Sequence, residues 1–154
     1  MLVWADQVGL ARTGQGSPDM EVVRWAAAVH DVGRLTDGRD AGHGSRSAEW
    51  VEANGTVLEP GLTLPQQEQL AYICRWHVPD DNSAPEMTAE LACLKDADGL
   101  DRVRIWDLDP RRLRSAAARD LAKAAKQLFS ESQRMHGDPW EAARTCAQAM
   151  GLWR

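Results

Sequence analysis

The sequence is poor in cysteine and in two of the three aromatic residue types. It contains three cysteines, one phenylalanine and one tyrosine among 154 residues, whereas tryptophan occurs seven times. Cys74, Cys93 and Cys146 are far apart and form no Cys-x-x-Cys pair, which argues against a disulfide framework and favours free thiols in a reducing compartment. None of the three has a local activating pattern, so a catalytic cysteine is not expected. We therefore expect a cytoplasmic protein.

Long apolar runs and a positive net charge are also missing. No apolar stretch approaches the ~20 residues that a membrane-spanning helix needs, and the first residues lack the basic leader of a signal peptide. The formal net charge is −5, which disfavours general nucleic-acid binding because phosphates must be neutralised by lysine and arginine. The arginines near residues 111–119 are typical of the solvated face of a helix. We therefore expect neither a membrane nor nucleic acid in general as a partner.

Helical periodicity, by contrast, runs through almost the whole chain, with short breaks rich in glycine, proline and aspartate. Ser17 as a cap, Pro18 in the first position and Gly33 as a stop mark the second helix. Thr63 and Gln66 match a capping box. No run of alternating apolar residues predicts a strand, so we expect an all-α fold, a single-domain helical bundle over residues 1–154. The predicted helices cover about residues 2–12, 18–33, 43–53, 63–77, 88–102, 110–135 and 138–151, and the first should end at Thr13-Gly14-Gln15-Gly16.

Histidine is scarce, and its positions are the most informative feature of the sequence. Of four histidines, His30, His43 and His77 lie at the ends of predicted helices or at loop edges. His30 ends an apolar helix face and is followed directly by Asp31. Neutral imidazole and carboxylate are ligands for Zn, Fe, Mn, Ni or Co, so the pair indicates a candidate metal site. His136 lies in a predicted loop and receives no function.

Each candidate also has a purely structural interpretation. His30 fits a core histidine that bonds a backbone carbonyl. His43 fits a glycine-rich turn, and His77 fits a cationic residue at a helix C-terminus. Asp98 fits an i, i+4 ion pair on an exposed face, and Arg34 fits a solvent-exposed side chain.

Four sequence segments, taken together and in order, favour the metal-site interpretation over these structural interpretations. They read AAAVHDVGR (26–34), HGSRSA (43–48), ICRWH (73–77) and LKDADGLD (94–101). This set resembles the HD-domain superfamily of metal-dependent phosphohydrolases, whose hallmark is an apolar helix that ends in His-Asp. Dinuclear members add a His-Gly-x-x-x-Ala segment, a histidine at the end of the next helix and a late Ala-Asp-x-Leu segment. The resemblance covers roughly residues 22–101.

The resemblance implies a metal ligand set. His30, Asp31 and Asp98 would hold a first metal ion, with Asp31 bridging to a second. His43 and His77 would belong to that second ion. The cofactor would be one or two divalent transition-metal ions from among Mn, Fe, Co, Ni and Zn.

The resemblance also implies catalytic roles. Asp31 would act within the metal site, and Arg34 would contact a phosphate or oxyanion. Asp101 would orient a ligand or the nucleophilic water. The implied activity is hydrolysis of a small phosphorylated molecule, a phosphate ester or a nucleotide. A di-iron oxygenase and a non-catalytic ligand-binding or dimerising module are the alternatives, and a homodimer is a further expectation.

One departure from the family pattern concerns the first helix. The family has a histidine there, well before the His-Asp pair, whereas no histidine precedes His30 in this sequence. The first helix shows no N-cap signal before Leu2. We therefore expect the missing ligand to lie in an upstream extension of the chain.

Overall fold

The structure, a computed structural model, describes residues 1–12, 16–58 and 61–153. All regular secondary structure in these residues is helical and no strand occurs among them, which confirms the all-α prediction. The predicted break at Thr13-Gly14-Gln15 lies outside the described residues. None of the described helices is both long and apolar enough to cross a membrane. The α-helices are α1 (Leu2–Leu10), α2 (Met20–Val29), α3 (His43–Ala53), α4 (Gly55–Leu58), α5 (Leu64–Trp76), α6 (Ala89–Asp101), α7 (Ala116–Ser132) and α8 (Pro139–Ala149), with 3-10 turns at Asp81–Ser83, Arg102–Ile105 and Pro110–Arg112.

Helix α6 lies at the centre of the packing. It contacts α1, α2, α5 and α7, and all its residues from 90 to 97 are buried. Leu91, Leu94 and Leu100 are fully buried in the hydrophobic core. Because burial of one leucine side chain contributes ~1.5–3 kcal/mol, these three hold the helix firmly in place. The polar residues of α6 are therefore presented from a rigid element.

The start of α2 differs from the prediction. Asp19 caps the helix by accepting hydrogen bonds from two backbone N–H groups of the first turn, at 3.0 and 3.4 Å. The prediction of Ser17 as the cap and Pro18 as the first helical residue is therefore wrong. The backbone N–H of Asp19 donates to Glu90 Oε1 on α6 at 2.8 Å, a long-range contact that fixes this residue as the cap.

The helix predicted over residues 110–135 is interrupted. A 3-10 turn ends at Arg112, the chain is extended at Leu113 and Ser115, and α7 begins only after Ser115. The buried carboxylate of Asp96 on α6 accepts from the backbone N–H groups of Arg114 and Ser115 at 2.6 and 2.9 Å. These two N–H groups are thereby unavailable to a continuous helix, which explains the break.

Candidate metal centre

Three helix ends meet on one side of the bundle and bring the predicted histidine ligands together. His30 and Asp31 follow the last residue of α2, His43 is the first residue of α3, and His77 directly follows α5. The side chains of the three histidines are 7, 7 and 4% exposed, whereas that of Asp31 is 33% exposed. The cluster is therefore a nearly buried group of imidazoles with one carboxylate facing solvent.

Two glycines allow the helices to approach this closely. A Cβ atom on Gly44 would lie 2.8 Å from the carbonyl oxygen of Cys74 on α5. A Cβ atom on Gly33 would lie 2.6 Å from the backbone nitrogen of Ser47 on α3, whose hydroxyl accepts from the Gly33 N–H at 3.0 Å. Gly33 is thus a contact point with α3 rather than the residue that stops α2, which already ends at Val29.

The potential ligand atoms converge on one small volume. His43 Nε2 lies 2.9 Å from Asp31 Oδ1 and 3.0 Å from His77 Nε2. His77 Nε2 lies 3.8 Å from Asp31 Oδ1, and His30 Nε2 lies 3.7 Å from Asp31 Oδ2. The ligand atoms of His30, Asp31 and His77 all lie within 4.8 Å of one another. Two overlapping sets of three donors therefore share Asp31 and His77.

The orientation of His43 and His77 follows from their outer hydrogen bonds. His43 Nδ1 contacts the carbonyl oxygen of Asp40 at 2.5 Å, and His77 Nδ1 contacts that of Cys74 at 2.7 Å. Because a carbonyl oxygen only accepts, Nδ1 is the donor in each contact. Each ring therefore turns its Nε2 towards the cluster, as is typical of histidines that bind a metal through this atom.

Two buried atoms of the cluster lack hydrogen-bond partners. His30 Nδ1 and Asp31 Oδ1 make no hydrogen bond, and for Asp31 Oδ1 the nearby Nε2 of His43 does not have hydrogen-bond geometry. Most buried polar atoms in proteins are hydrogen-bonded, so the unsatisfied Asp31 Oδ1, which lies among the imidazoles, indicates a missing ligand. The donor set of three imidazoles and one carboxylate fits a divalent transition metal.

The electrostatics of the cluster favour the metal-binding forms of both groups. Burial lowers the pKa of His30, and the neighbouring His77 lowers it further, which keeps the imidazole neutral. For Asp31, burial opposes ionisation. The hydrogen bond with His77 is the largest of the opposing causes, and together with the nearby His30 and Arg34 it outweighs burial and holds the pKa of this carboxyl well below its usual range.

The comparison with protein families agrees with this geometry. A family model for the HD domain matches residues 2–103. The chain belongs to the HD domain family. HD domains typically bind divalent metals, and the His/Asp cluster of this HD domain is a suitable site. No curated protein and no solved structure gives a significant match to the chain.

The other residues predicted for the site lie around the cluster of this HD domain. Arg34 donates from Nε to Asp31 Oδ2 at 3.2 Å, so it contacts the carboxylate directly. Asp98 lines the same cavity as Asp31 and acts electrostatically on His30, but it is not part of the set of ligand atoms within 4.8 Å. The carboxylate of Asp101 is engaged by the amino group of Met1 at 3.0 Å and by Arg104 Nε at 2.7 Å. The roles predicted for Asp98 and Asp101 stay predictions.

The cluster opens into a cavity of about 1010 Å³, here called the metal cavity. Asp31, His43 and Asp98 lie in its wall, together with Val78 and Pro79 from the segment after α5. The wall also carries three further aspartates, Asp37, Asp40 and Asp80, and a set of cationic side chains. The cationic side chains are Arg34, Arg39, Arg102 and Arg104.

Sequence analysis missed Asp40, which orients His43 through a hydrogen bond to its Nδ1. The carbonyl oxygen of Asp40 accepts from His43 Nδ1, and its carboxylate accepts from Arg46 Nη2 at 2.6 and 2.5 Å and from the backbone N–H of Leu35 at 3.0 Å. The hydrogen bond from Arg46 is the main cause that lowers the pKa of Asp40 to about 2. Arg46 also donates to the carbonyl of Gly33 at 2.9 Å. The only local sequence signal for this hydrogen bond is the spacing of three residues between Asp40 and His43.

Proposed function

We propose that this HD domain is a metal-dependent phosphohydrolase that acts on a small phosphate ester or a nucleotide. The observation that supports the proposal is the convergence of imidazole and carboxylate lone pairs on one volume, beside a cavity lined by arginines. Metal ligands and guanidinium groups on one wall suit a substrate that carries a phosphate.

The metal would be held by His30, Asp31 and His77, with His43 as a ligand from the adjoining set. Asp98, which lines the same cavity, is a further candidate. A bound divalent ion supplies Lewis-acid polarisation of the phosphoryl oxygens and lowers the pKa of its water towards neutrality. The carbonyls of Asp40 and Cys74 would hold the Nδ1 protons of His43 and His77, so that both Nε2 atoms would be available as ligands.

The arginines of the metal cavity would bind the phosphate. Guanidinium groups form paired hydrogen bonds to phosphate oxygens, and partners that hold them in place reduce the entropy lost on binding. Arg102 is held by Asp107 at 3.0 Å, and Arg104 by Asp101 at 2.7 Å. In this scheme Asp101 serves the reaction by positioning Arg104. Arg39 forms no ion pair with any residue in the described part of the chain.

The experiment that tests the proposal is metal analysis followed by a phosphatase screen. The purified chain is loaded with Mn, Co, Ni or Mg and assayed on a panel of phosphate esters and nucleotides. We expect bound metal and metal-dependent phosphate release, and both should be lost in His77→Ala. His136→Ala is the matched control, because this histidine is exposed and lies outside the metal cavity.

Two outcomes would replace the proposal by an alternative. Iron retention with a coupled di-iron signal in electron paramagnetic resonance, and no phosphate release, would indicate the oxidative chemistry. A stable fold that retains no metal would indicate a non-catalytic module. We also propose a reducing cytoplasmic compartment, because all three cysteines are free, two of them in the core.

A further inference from the structure

One arginine side chain joins the segment that follows α2 to the start of α3. Arg46 is the fourth residue of α3, which begins at His43. Its Nε donates to the carbonyl oxygen of Gly33 at 2.9 Å, and its Nη2 contacts both carboxylate oxygens of Asp40, at 2.6 and 2.5 Å. The guanidinium group is planar and rigid, so these contacts hold two points of residues 33–42 at a fixed separation. This segment is here called the cavity loop.

The cavity loop forms a large part of the wall of the metal cavity. Arg34 and residues 37–41 all line the cavity. The loop is also closed on itself, because the backbone N–H of Leu35 donates to Asp40 Oδ2 at 3.0 Å. Since Arg46 binds the loop near both of its ends, at Gly33 and at Asp40, the position of the wall depends on this one side chain.

Two glycines leave room for Arg46. A Cβ atom on Gly42 would lie 2.7 Å from Arg46 Nη1, and a Cβ atom on Gly33 would lie 2.7 Å from Arg46 Cβ. A side chain at either position would displace Arg46 or the backbone beside it. The close packing at both glycines shows that the arginine lies against the two ends of the cavity loop.

Arg46 is linked to His43 through Asp40. The carboxylate of Asp40 accepts from Arg46, and its backbone carbonyl accepts from His43 Nδ1 at 2.5 Å. Such an outer hydrogen bond fixes the tautomer and the ring orientation of a metal-binding histidine. The opposite ring nitrogen, His43 Nε2, lies 2.9 Å from Asp31 Oδ1 and 3.0 Å from His77 Nε2. The arginine therefore supports the group that directs His43 into the cluster.

We propose that Arg46 is a positioning residue that orients His43 for metal binding and holds the cavity loop through the same contacts. This inference rests on the proposed function, in which His43 is a metal ligand and the arginines of the metal cavity bind phosphate. The effect of Arg46 on His43 passes through Asp40, whose side chain and main chain face the two residues separately.

The test is a double-mutant cycle measured by titration with Co²⁺. The affinity is determined for the wild type, Arg46→Ala, His43→Ala and the double variant. We expect Arg46→Ala to weaken binding by about 10–100-fold, the usual effect of removing an outer partner of a metal ligand. In the His43→Ala background the same change should cause no further loss, because the residue that Arg46 positions is absent. A merely structural role would weaken binding in both backgrounds.

A second measurement does not depend on metal. Nitrogen-15 NMR of the metal-free protein at about pH 8, where imidazoles are neutral, shows which ring nitrogen carries the proton. We expect the proton on Nδ1 of His43 in the wild type and a mixture of both tautomers in Arg46→Ala. His77 is the internal control, since its Nδ1 contacts the carbonyl of Cys74, and its tautomer should not change.

Three further variants control for folding and for charge. Arg24→Ala removes an arginine that donates to Asp6 at 2.7 Å outside the metal cavity, and it should leave the metal affinity unchanged. Arg46→Lys keeps the charge without the paired contacts, so its affinity should lie between those of the wild type and Arg46→Ala. If Arg46→Ala does not fold, Asp40→Asn takes its place in the cycle, because it keeps the backbone carbonyl and weakens the contact with Arg46.

The inference is overturned if Arg46→Ala keeps the wild-type metal affinity, or if it weakens binding equally with and without His43. It is also overturned if the tautomer of His43 is the same in the wild type and in Arg46→Ala. A protein that binds no metal but shows the expected change of tautomer would count against the proposed function alone.

Discussion

Two buried polar regions of this HD domain lie close to each other and are built in opposite ways. Asp96 is fully buried, and its carboxylate accepts from the backbone N–H groups of Arg114 and Ser115 and from the Ser115 hydroxyl, at 2.6 to 2.9 Å. The Nζ of Lys95 donates to the carbonyl of Pro79 at 2.6 Å and to Asp81 at 3.0 Å. Apart from Arg114 Nε, every buried polar atom of this network has a hydrogen-bond partner.

The metal cluster is not satisfied in this way. His43 Nε2, His77 Nε2 and Asp31 Oδ1 lie 2.9 to 3.8 Å from one another, and Asp31 Oδ1 has no hydrogen-bond partner. A satisfied polar network stabilises the fold, whereas an unsatisfied buried oxygen beside two imidazoles indicates a place for a ligand. The comparison therefore separates residues that hold the structure from residues that bind, although both kinds are buried and charged.

The largest expected effect is the loss of metal on removal of Asp31. Asp31→Ala should abolish metal binding, with affinity at least about 100-fold weaker, because even losses outside the ligand shell cost about 10–100-fold. Elemental analysis and metal titration measure the change. Asp37→Ala is the matched control, since Asp37 is an exposed carboxylate in the wall of the same cavity. Unchanged metal content in Asp31→Ala would contradict the distinction between residues that bind metal and residues that hold the structure.

Removal of Asp96 from the hydrogen-bonded network should lower the stability of the fold without changing the affinity for metal. Asp96→Ala leaves three donors without their acceptor in a buried place, and we expect the free energy of unfolding to fall by about 3–5 kcal/mol. Urea denaturation measures this loss. The folded fraction should still bind metal with wild-type affinity. Metal loss that exceeds the loss of folded protein would show that the two regions are not independent.

The smallest effect concerns the acid side of the stability curve. Hydrogen bonds from Arg114 and Lys95 outweigh partial burial and lower the pKa of Asp81. Since the folded pKa lies below the unfolded value near 3.8, Asp81 contributes stability that is present above about pH 4 and is lost as the pH falls through the folded pKa. Asp81→Asn should remove this part of the acid slope.

The size of this last effect should stay below about 1 kcal/mol, because the Asp81 side chain is 43% exposed and therefore screened by solvent. Unfolding is measured by urea titration between pH 3 and 7, a range chosen to bracket carboxyl titration. Asp80→Asn serves as the control, since the structure assigns no ion pair to the Asp80 side chain within its described ranges. A slope equal to that of the wild type in Asp81→Asn would contradict the prediction.

Local sequence patterns predicted the helices well and their exact ends less well. The predicted contact at Thr63 is present, with Gln66 Oε1 accepting from the Thr63 backbone N–H at 2.9 Å. The start of α2 and the break before α7 were not predictable in this way. Both are set by side chains of α6, Glu90 and Asp96, which are distant in sequence from the backbone groups that they bind.

The site shows the same division between local and long-range information. His43 and His77 are 34 residues apart, and only the resemblance to the HD domain placed them together. That resemblance could not find Asp40, because this residue belongs to no quoted motif. Its role depends on the packing that brings its carbonyl next to His43.

Gly44 has a consequence for the spacing of the candidate ligands. Because a Cβ atom on Gly44 would lie 2.8 Å from the Cys74 carbonyl oxygen, the missing side chain allows the close approach of α3 and α5 that brings His43 to His77. An alanine at this position would meet that carbonyl, so the two helices would have to move apart. The spacing of two candidate ligands that lie 34 residues apart is thus set by the absence of a single methyl group.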